Sequence, residues 1–266
     1  MGKIVLVTGA ANGLGRVMAE AALAKGHRVF ALDLPNEDAA LQSLATAYAG
    51  AVATRHGDIT SLADCEAAVA ACLAQYGRLD VLLNNAGLGM GSITGEGPPM
   101  PFWQIPEVGW TRLVEVNLNG TFRMTRSAVP AMIEQGGGAI ITVTTSYFTM
   151  LNPGFSPYGP SKVALEACTV MWARELAAHN ITANVLVPGG ATNTRFVPQR
   201  TAPDRGKLIQ PEVMVAPLQW LLSDAAKGVT SQRIVGRDWN PAVPVAEAMA
   251  MAMRPAGFIP TISALR

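Results

Sequence analysis

Tyr158 and Lys162 are the side chains of this sequence whose types and spacing best suit proton transfer. They stand four residues apart at the start of a predicted helix, so the phenol and the ammonium share one helix face. A free tyrosine has a pKa of about 10, too high to give much phenolate near neutral pH. The neighbouring ammonium and the positive end of the helix favour the phenolate. The pair therefore predicts an acid/base, and the alternative interpretation is a surface Tyr–Lys pair.

A glycine-rich turn, TGAANGLG at residues 8–15, joins the first predicted strand to the first predicted helix. Glycines at such a turn let the backbone approach a pyrophosphate, whose charge then lies at the helix N-terminus. The spacing differs from GxGxxG and lacks a Lys-Ser/Thr ending, which excludes a P-loop. The cofactor-binding residues predicted here are Gly9, Asn12, Gly13, Leu14 and Gly15.

Asp33 closes the second predicted strand, 18 residues beyond Gly15. A carboxylate at this position can accept both hydroxyls of an adenosine ribose and would repel a 2′-phosphate. Arg16 and Arg28 are the nearest cations that could accommodate such a phosphate. The pattern therefore favours NAD over NADP, and the alternative interpretation of Asp33 is a solvated carboxylate at a strand end.

Asp58, followed by Ile59, ends the third predicted strand. Its carboxylate could accept a hydrogen bond from the adenine amino group. It could instead cap the following helix, although Thr60 and Ser61 compete for that position. We include Asp58 and Ile59 among the predicted cofactor-binding residues.

Apolar strands and helical segments alternate along the chain and must position these residues. The predicted strands are 3–7, 28–32, 51–55, 79–83, 139–143, 181–187 and 229–235, and the predicted helices are 16–25, 37–49, 61–76, 107–135, 157–179 and 211–225. This alternation is typical of βαβ units with right-handed crossovers. It predicts an α/β fold: a single doubly wound Rossmann-type domain over residues 1–266, with a parallel sheet of about seven strands and helices on both faces.

Two long loops, 88–106 and 188–210, follow predicted strands on the side where open α/β sheets bind ligands. Residues 100–103, Met-Pro-Phe-Trp, could wall a bulky substrate or simply pack the first loop onto the body. The second loop carries Arg195, Arg200, Arg205 and Lys207 against Asp204. Its charge could attract a carboxylated substrate or belong to a solvated loop. The tail from about 237 has no predicted place in the sheet, and its Ala/Met-rich helix at 245–253 could cover a neighbouring subunit or the substrate entrance.

The composition limits the class of function. The 266 residues are half apolar and 15% charged, with a net charge of +1. Such a chain has no global field for gripping nucleic acid or an anionic membrane, so we expect neither as a partner. Three cysteines without CxxC spacing and three separated histidines predict a reducing compartment and no metal site. No run of 18 apolar residues and no signal peptide are present, which predicts a cytoplasmic protein.

Together these motifs resemble the short-chain dehydrogenase/reductase family. TGxxxGxG, the acidic end of the second strand, Asp-Ile, and NNAG at residues 84–87 occur in the family's order. A helix asparagine, a hydroxyl residue before YxxxK, and Pro-Gly after the sixth strand complete the match. The resemblance covers about residues 3 to 236.

The resemblance implies roles for further residues. The helix asparagine is Asn117, which in the family holds a water in a proton relay to the lysine. Lys162 would bind the nicotinamide ribose as well as adjust Tyr158. A threonine soon after Pro-Gly would lie by the carboxamide; this chain has Thr192 and Thr194, of which we favour Thr194. The remaining cofactor-binding residues implied are Asn85, Ala86, Gly87, Pro188 and Gly189.

The catalytic hydroxyl departs from the family's pattern. The family places a serine thirteen residues before the tyrosine, and this position is Thr145, with Ser146 directly after it. A threonine hydroxyl can donate to a substrate carbonyl as a serine does. A one-residue change in the following loop would instead bring Ser146 into place. Neighbours on a strand point to opposite faces, so only one of them serves well, and we favour Thr145.

The C-terminal part also departs from the family. Members often end the seventh strand with a Thr-Gly run and then Asp-Gly-Gly, whereas this chain has Thr230-Ser231 and Gly236-Arg237-Asp238-Trp239. The family pairs the helices at 111–135 and 158–179 between subunits, which implies a homo-oligomer, in the present case a tetramer. The second helix is apolar at Val163, Leu165, Cys168, Val170, Met171 and Trp172, more than one inward stripe requires.

These observations predict an NAD-dependent oxidoreductase that transfers a hydride reversibly between NAD and a small secondary alcohol or ketone. One alternative is reduction of a 3-oxoacyl thioester, which usually goes with NADPH and against which Asp33 counts. Another is a nucleotide-sensing regulator on the same fold, against which the intact Tyr158/Lys162 pair counts.

Overall fold

Eight strands form one sheet in the computed structural model, which describes residues 2–199 and 202–257. They are β1 (Ile4–Thr8), β2 (Arg28–Asp33), β3 (Val52–His56), β4 (Val81–Asn84), β5 (Gly138–Val143), β6 (Ile181–Val187), β7 (Gln232–Val235) and β8 (Met253–Pro255). Their order is β3-β2-β1-β4-β5-β6-β7-β8. The first seven pair in parallel, and the predicted doubly wound architecture is confirmed.

The helices that connect the strands begin and end close to the predicted positions. They are α1 (Gly13–Leu23), α2 (Asp38–Ala47), α3 (Leu62–Tyr76), α4 (Gly91–Thr94), α5 (Glu107–Val114), α6 (Thr121–Glu134), α7 (Tyr147–Leu151), α8 (Tyr158–Glu175), α9 (Val215–Leu221) and α10 (Val245–Ala252). A π-helical turn, Glu115–Gly120, joins α5 to α6, so the predicted helix over 107–135 is continuous but changes its winding. The short helices α4 and α7 lie in segments for which the sequence predicted no helix.

The strands have an apolar core on each face of the sheet. Along β1, Val5 and Val7 belong to one buried cluster, whereas Ile4 and Leu6 belong to the other. This alternation follows from the strand period of two, and helices cover both faces. Strands buried on both sides explain the continuous apolar runs of the sequence.

The order of the strands determines where ligands can bind. The chain builds the sheet outward from β1 to β3 and then returns to place β4 on the other side of β1. The loops that leave β1 and β4 therefore diverge to opposite faces, and a crevice opens between them at the carboxyl edge. The glycine turn follows β1 and residues 84–87 follow β4, so both predicted motifs border this crevice.

The prediction that the tail has no place in the sheet is wrong. Met253–Pro255 forms β8, which pairs antiparallel with β7, with Ile234 opposite Met253. The buried side chains of Ala248 and Ala252 pack α10 against the body. A three-residue strand ending in proline carries no sequence pattern for a strand, yet it covers the open edge of β7. Of the tail, residues 258–266 lie outside the described residues.

Ser231 occupies a backbone conformation that glycine favours. Its φ is 57°, and its amide donates to Ala183 O (2.8 Å) while its carbonyl accepts from Ala256 N (2.9 Å). The turn before β7 thus keeps the left-handed geometry although this chain has serine where the family often has glycine. A side chain in this region costs free energy because Cβ crowds the following carbonyl.

Ser231→Gly should therefore stabilise the protein by about 0.5–1 kcal/mol, after allowing for the greater freedom of glycine in the unfolded chain. Thermal melts should record a rise in Tm of about 2 °C for a chain of this length. Asn180 has a φ of 56°, and because asparagine tolerates this region, Asn180→Gly is a matched control with a smaller gain. An unchanged or lower Tm for Ser231→Gly would contradict the strain.

Candidate active site

A cavity of about 1040 Å³ lies at the carboxyl ends of the central strands and gathers most of the predicted site residues. Those that line it are Gly9, Asn12, Gly13, Leu14, Asp33, Asp58, Ile59, Asn85, Ala86, Gly87, Thr145, Tyr158, Lys162, Pro188, Thr192 and Thr194. Gly15, Asn117, Ser146 and Gly189 are not among its lining residues. The glycine turn and the Tyr158/Lys162 pair, which lie far apart in the sequence, therefore border the same cavity.

The glycine turn is held against the loop that follows β4. Gly9 and Gly13 have φ values of 65° and 54°, and a Cβ on Gly15 would lie 1.9 Å from Gly9 O. Asn85 Nδ2 donates to Thr8 O and to Gly9 O, both at 3.0 Å. Gly15 therefore serves close packing of α1 on the turn rather than lining the cavity.

The N-terminus of α1 is suited to bind an anion. Asn12 stands at the N-cap position, but its side chain caps none of the helix amides; its Nδ2 donates to Glu37 Oε2 at 2.8 Å instead. The first-turn amides at Gly13 and Leu14 border the cavity. Amides and the positive end of the helix dipole attract phosphate, so this part of the cavity fits the pyrophosphate of a dinucleotide.

Asp33, at the end of β2, lies beside the glycine turn. Its Oδ2 accepts from Ala11 N at 2.8 Å and its Oδ1 from Leu34 N at 2.9 Å. Burial raises the pKa of Asp33 above its ordinary value, and the two backbone hydrogen bonds oppose that shift. The carboxylate is thus fixed by the turn that it helps to shape.

Sequence reasoning missed Glu37, a second acidic side chain that lines the same end of the cavity. Glu37 Oε1 lies 2.6 Å from Arg195 NH2, an ion pair that links the start of the second βα unit to the loop after β6. The signal in the sequence is weak, because an acidic residue in the first turn of a helix is common. Only the fold places Glu37 beside Asp33, whose pKa its charge also raises.

Asp58 and Ile59, after β3, also line the cavity. Asp58 Oδ1 accepts from Thr60 N at 2.8 Å. The N-cap of α3 is Ser61, whose hydroxyl accepts from Asp64 N at 3.2 Å. Capping is therefore not the role of Asp58, and its second carboxylate oxygen remains suited to a ligand amino group.

Tyr158 and Lys162 are both buried at the start of α8. The alternative interpretation, a surface Tyr–Lys pair, is therefore wrong. Burial raises the pKa of Tyr158 to about 12, and a hydrogen bond from the side chain of Thr145 opposes the rise. The expected shift toward phenolate is thus wrong for this structure, because loss of solvent outweighs the hydrogen bond. At neutral pH the phenol holds its proton.

Lys162 is set by burial as well. Its Nζ donates to Val143 O at 3.0 Å and lies 5.8 Å from the centroid of the Tyr158 ring. Burial lowers the pKa of Lys162 to about 8. The ammonium therefore remains mostly protonated at pH 7 and places a positive charge next to the phenol.

Thr145 and Ser146 have different surroundings. Thr145 lines the cavity, and its side chain lowers the pKa of Tyr158 against the effect of burial. Ser146 is the N-cap of α7: its Oγ accepts from Thr149 N at 3.2 Å and lies 3.0 Å from Thr149 Oγ1. The hydroxyl that the geometry brings to the tyrosine is that of Thr145.

Asn117 is fully buried in the π-helical turn. Its Oδ1 accepts from Leu88 N at 2.7 Å, and its Nδ2 donates to Leu88 O at 2.9 Å and to Ser161 Oγ at 3.2 Å. Its carboxamide thus ties the loop after β4 to the first turn of α8. π-Helical turns often occur at functional sites, where they re-aim a side chain.

The loop after β6 closes the cavity from the other side. A Cβ on Gly13 would lie 3.2 Å from the methyl of Thr194, so this threonine lies against the glycine turn, and its predicted place by the carboxamide stays a prediction. Thr192 is buried and its hydroxyl donates to Gly190 O at 3.1 Å. Arg205 holds the loop in shape by donating to Thr194 O at 2.6 Å and to Val197 O at 2.8 Å.

The charges of this loop are engaged within the protein. Arg195 pairs with Glu37, and Lys207 Nζ lies 3.3 Å from Asp204. Arg205 is used by the loop itself, and Arg200 lies outside the described residues. These contacts favour the interpretation of a structural loop over that of a site for a carboxylated substrate.

An aromatic ring lies beside the phenol. The ring of Phe196 has its centroid 5.6 Å from that of Tyr158, and Leu88, Met90 and Phe155 also line the cavity. Residues 100–103 do not line the cavity, and Phe102 and Trp103 are exposed. Residues 100–103, which could have formed a wall for a bulky substrate, thus do not do so, and other side chains line the cavity.

Two features are absent from the described part of the chain: a cluster of metal ligands and a membrane-spanning helix. Residues 2–199 and 202–257 contain no group of three or more His, Cys, Asp or Glu side chains that could hold a metal ion. Within the same ranges, no helix is long and apolar enough to cross a bilayer. The three cysteines are free thiols, and the predicted compartment stays a prediction.

The chain resembles known proteins over most of its length. A family model described as short chain dehydrogenase matches residues 3–204. The chain is 33% identical over 248 residues to a 3-oxoacyl-[acyl-carrier-protein] reductase of Thermotoga maritima, a match that covers 89% of this chain and 96% of that protein. It is 35% identical over 193 residues to 2-(R)-hydroxypropyl-CoM dehydrogenase of Xanthobacter autotrophicus, covering 71% and 74%. The crystal structure of a 3-ketoacyl-(acyl-carrier-protein) reductase from Brucella melitensis complexed with NADH is 29% identical and has a TM-score of 0.74, covering 86% and 94%.

Proposed function

The chain belongs to the short-chain dehydrogenase/reductase family, and from that premise we propose that it transfers a hydride between NAD and a secondary alcohol or the corresponding ketone. The single observation that carries the proposal is one cavity lined by the glycine turn, Asp33, Thr145, Tyr158 and Lys162. Asp33 suits the adenosine ribose, and the N-terminus of α1 suits the pyrophosphate. The hydroxyls of Thr145 and Tyr158 suit a carbonyl oxygen.

The nicotinamide cofactor, when bound, supplies the ring carbon that gives or accepts the hydride. The protein's own residues bind, orient and move the proton. Lys162 and the loop at Thr194 would hold the cofactor, and the ring of Phe196 beside Tyr158 would help to exclude water from the reacting oxygen.

Tyr158 is the proposed acid/base. With its pKa raised to about 12, it enters ketone reduction as the protonated phenol and gives its proton to the substrate oxygen. Reduction leaves Tyr158 as the phenolate, whose negative charge the Lys162 ammonium 5.8 Å from its ring stabilises, and in the oxidation direction this phenolate accepts the proton of the alcohol. The Thr145 hydroxyl donates a hydrogen bond to the same substrate oxygen and polarises the carbonyl.

A second candidate function is the reduction of a 3-oxoacyl thioester, which is favoured by the likeness to reductases of that name. The Brucella relative was crystallised with NADH, so a preference of this chain for NAD does not exclude that substrate class. The apolar surroundings of Tyr158 suit an uncharged ketone of either kind. A panel of simple ketones and acetoacetyl thioesters, assayed with NADH, distinguishes the two.

Turnover with NAD on a panel of secondary alcohols tests the proposal, and four variants test the roles. Tyr158→Phe should lower kcat by 10²–10⁴-fold because the proton donor is lost. Thr145→Val should lower kcat by about 10²–10³-fold because one donor to the developing oxyanion is lost, whereas Thr145→Ser should be mild. Ser146→Ala should leave kcat near the wild-type value and lower stability by about 1 kcal/mol, because the α7 cap is lost. A crippled Ser146→Ala beside an active Thr145→Val would reverse the assignment, and thermal melts confirm folding.

NAD should bind at least roughly 100-fold more tightly than NADP, because a 2′-phosphate would meet Asp33 and Glu37, and a like-charge contact costs several kcal/mol. Exchanging Asp33→Ala and Leu34→Arg should move the preference toward NADP, and adding Glu37→Gln should move it further. Calorimetric dissociation constants for both cofactors provide the measurement. Asp58→Asn, at the adenine end, is the matched control and should weaken both cofactors alike. Equal affinities of the wild type for the two cofactors would contradict the role of Asp33.

We also propose that the protein is a homotetramer. Phe122 and Ile133 on α6 and Met171 on α8 are exposed apolar side chains on the two helices that the family pairs between subunits. Large apolar side chains exposed on these two helices suit an interface between subunits. Light scattering should return four times 27.9 kDa, and Phe122→Glu with Met171→Glu should dissociate the assembly. A monomer of 27.9 kDa at micromolar concentration would contradict the proposal.

A further inference from the structure

A buried ion pair lies directly behind the proposed active site. Arg233, on β7, donates to Glu166 on α8, and their side chains are 4% and 0% exposed. Thr144 Oγ1 donates to the same carboxylate oxygen at 2.9 Å. Neither Arg233 nor Glu166 lines the cavity, so the pair touches neither cofactor nor substrate.

The other side of the Arg233 guanidinium reaches the segment that carries the proposed catalytic hydroxyl. Its second terminal nitrogen donates to the backbone oxygen of Thr145 at 2.7 Å. Its central carbon lies 4.1 Å from the centroid of the Tyr147 ring. The ladder between β5 and β6 ends at Val143, so Arg233 fixes the chain just beyond the last paired residue. One rigid fork thus connects the end of β5, α7 and α8.

Stability alone does not account for such a pair. Burial lowers the pKa of Arg233 only to about 10, so the guanidinium is charged at neutral pH. Glu166 Oε2 is buried and has no hydrogen-bond partner among the described residues. Removing two charges from water is costly, and apolar residues of similar volume in place of a buried pair often leave stability unchanged or raise it. A pair with an unsatisfied oxygen is therefore poorly suited to a purely stabilising role.

We propose that Arg233, anchored by Glu166, is a positioning residue for catalysis: it holds the backbone of Thr145 so that the threonine hydroxyl reaches Tyr158 and the substrate oxygen. The inference rests on the proposed function, because Thr145 is there the carbonyl-polarising group. It assigns a task to a charged residue in a buried strand, at a place where the chain departs from the family's pattern. Reacting groups must be held within fractions of an ångström, and a displacement of about 1 Å can cost 100-fold in rate.

The test removes both charges together, so that no unpaired charge is left in the core. Glu166→Leu/Arg233→Met should fold with a Tm close to that of the wild type. Its kcat for alcohol oxidation should fall roughly 10- to 100-fold while the dissociation constant for NAD changes less than about twofold. In the Thr145→Val background the same pair should change kcat less than about twofold, because the group that it positions is already absent. Gln232→Met, the preceding residue on β7 with its side chain on the other face of the sheet, is the matched control and should keep wild-type kcat.

Two results would overturn the inference: an unchanged kcat in the folded pair variant, or an equal fold-loss with and without Thr145. If the pair variant does not fold, Arg233→Lys decides, because an ammonium can pair with Glu166 but cannot also span to Thr145 O as a planar fork. Arg233→Lys should lose kcat in the wild-type background and not in the Thr145→Val background; the same loss in both would refute the positioning role. Turnover retained by Tyr158→Phe would instead reject the proposed function, and the positioning role with it.

Discussion

The hydrogen bonds between Thr8 and Asn85 hold the carboxyl ends of β1 and β4 together at the point where the sheet reverses its direction of growth. Thr8 Oγ1 accepts from Asn85 N and Ala86 N, both at 3.0 Å, while Asn85 Nδ2 returns two hydrogen bonds to the backbone of Thr8 and Gly9. The glycine turn cannot move relative to the loop after β4 without breaking all of them. A crevice with fixed walls can bind a long, flexible dinucleotide at low entropic cost, because the protein is already ordered.

Loss of solvent determines the chemistry at the other end of this crevice. The same burial raises the pKa of Tyr158 to about 12 and lowers that of Lys162 to about 8. The pKa values of the two groups are therefore further apart than those of free tyrosine and lysine, so at neutral pH the phenol keeps its proton and Lys162 keeps its charge. A ligand that brings charge into this space would shift the pKa of both groups.

Three residues proposed for catalysis are held by contacts from elements distant in sequence. The carboxamide of Asn117 ties the loop at Leu88 to α8, Lys162 bonds the last residue of β5, and Arg233 reaches from β7 to Thr145 O. Thr145 follows β5 and Lys162 lies on α8, and the sheet and its helices fix their positions. In this way the otherwise unremarkable C-terminal half of the sheet becomes part of the site.

The sequence by itself determined the order and type of the main elements, the doubly wound sheet and the family, because strand and helix periods and the glycine turn are local signals. It also predicted the residues that gather in the cavity, although their roles stay predictions. Strand β8, the turn at Ser231 and the partners Glu37 and Arg233 could not be found in this way, since edge pairing and charge contacts join residues far apart in the chain. The pKa of Tyr158 was predicted in the wrong direction from its neighbour four residues away. Only the tertiary structure decided it, because the solvent that a group loses depends on everything packed around it, and no local pattern records that.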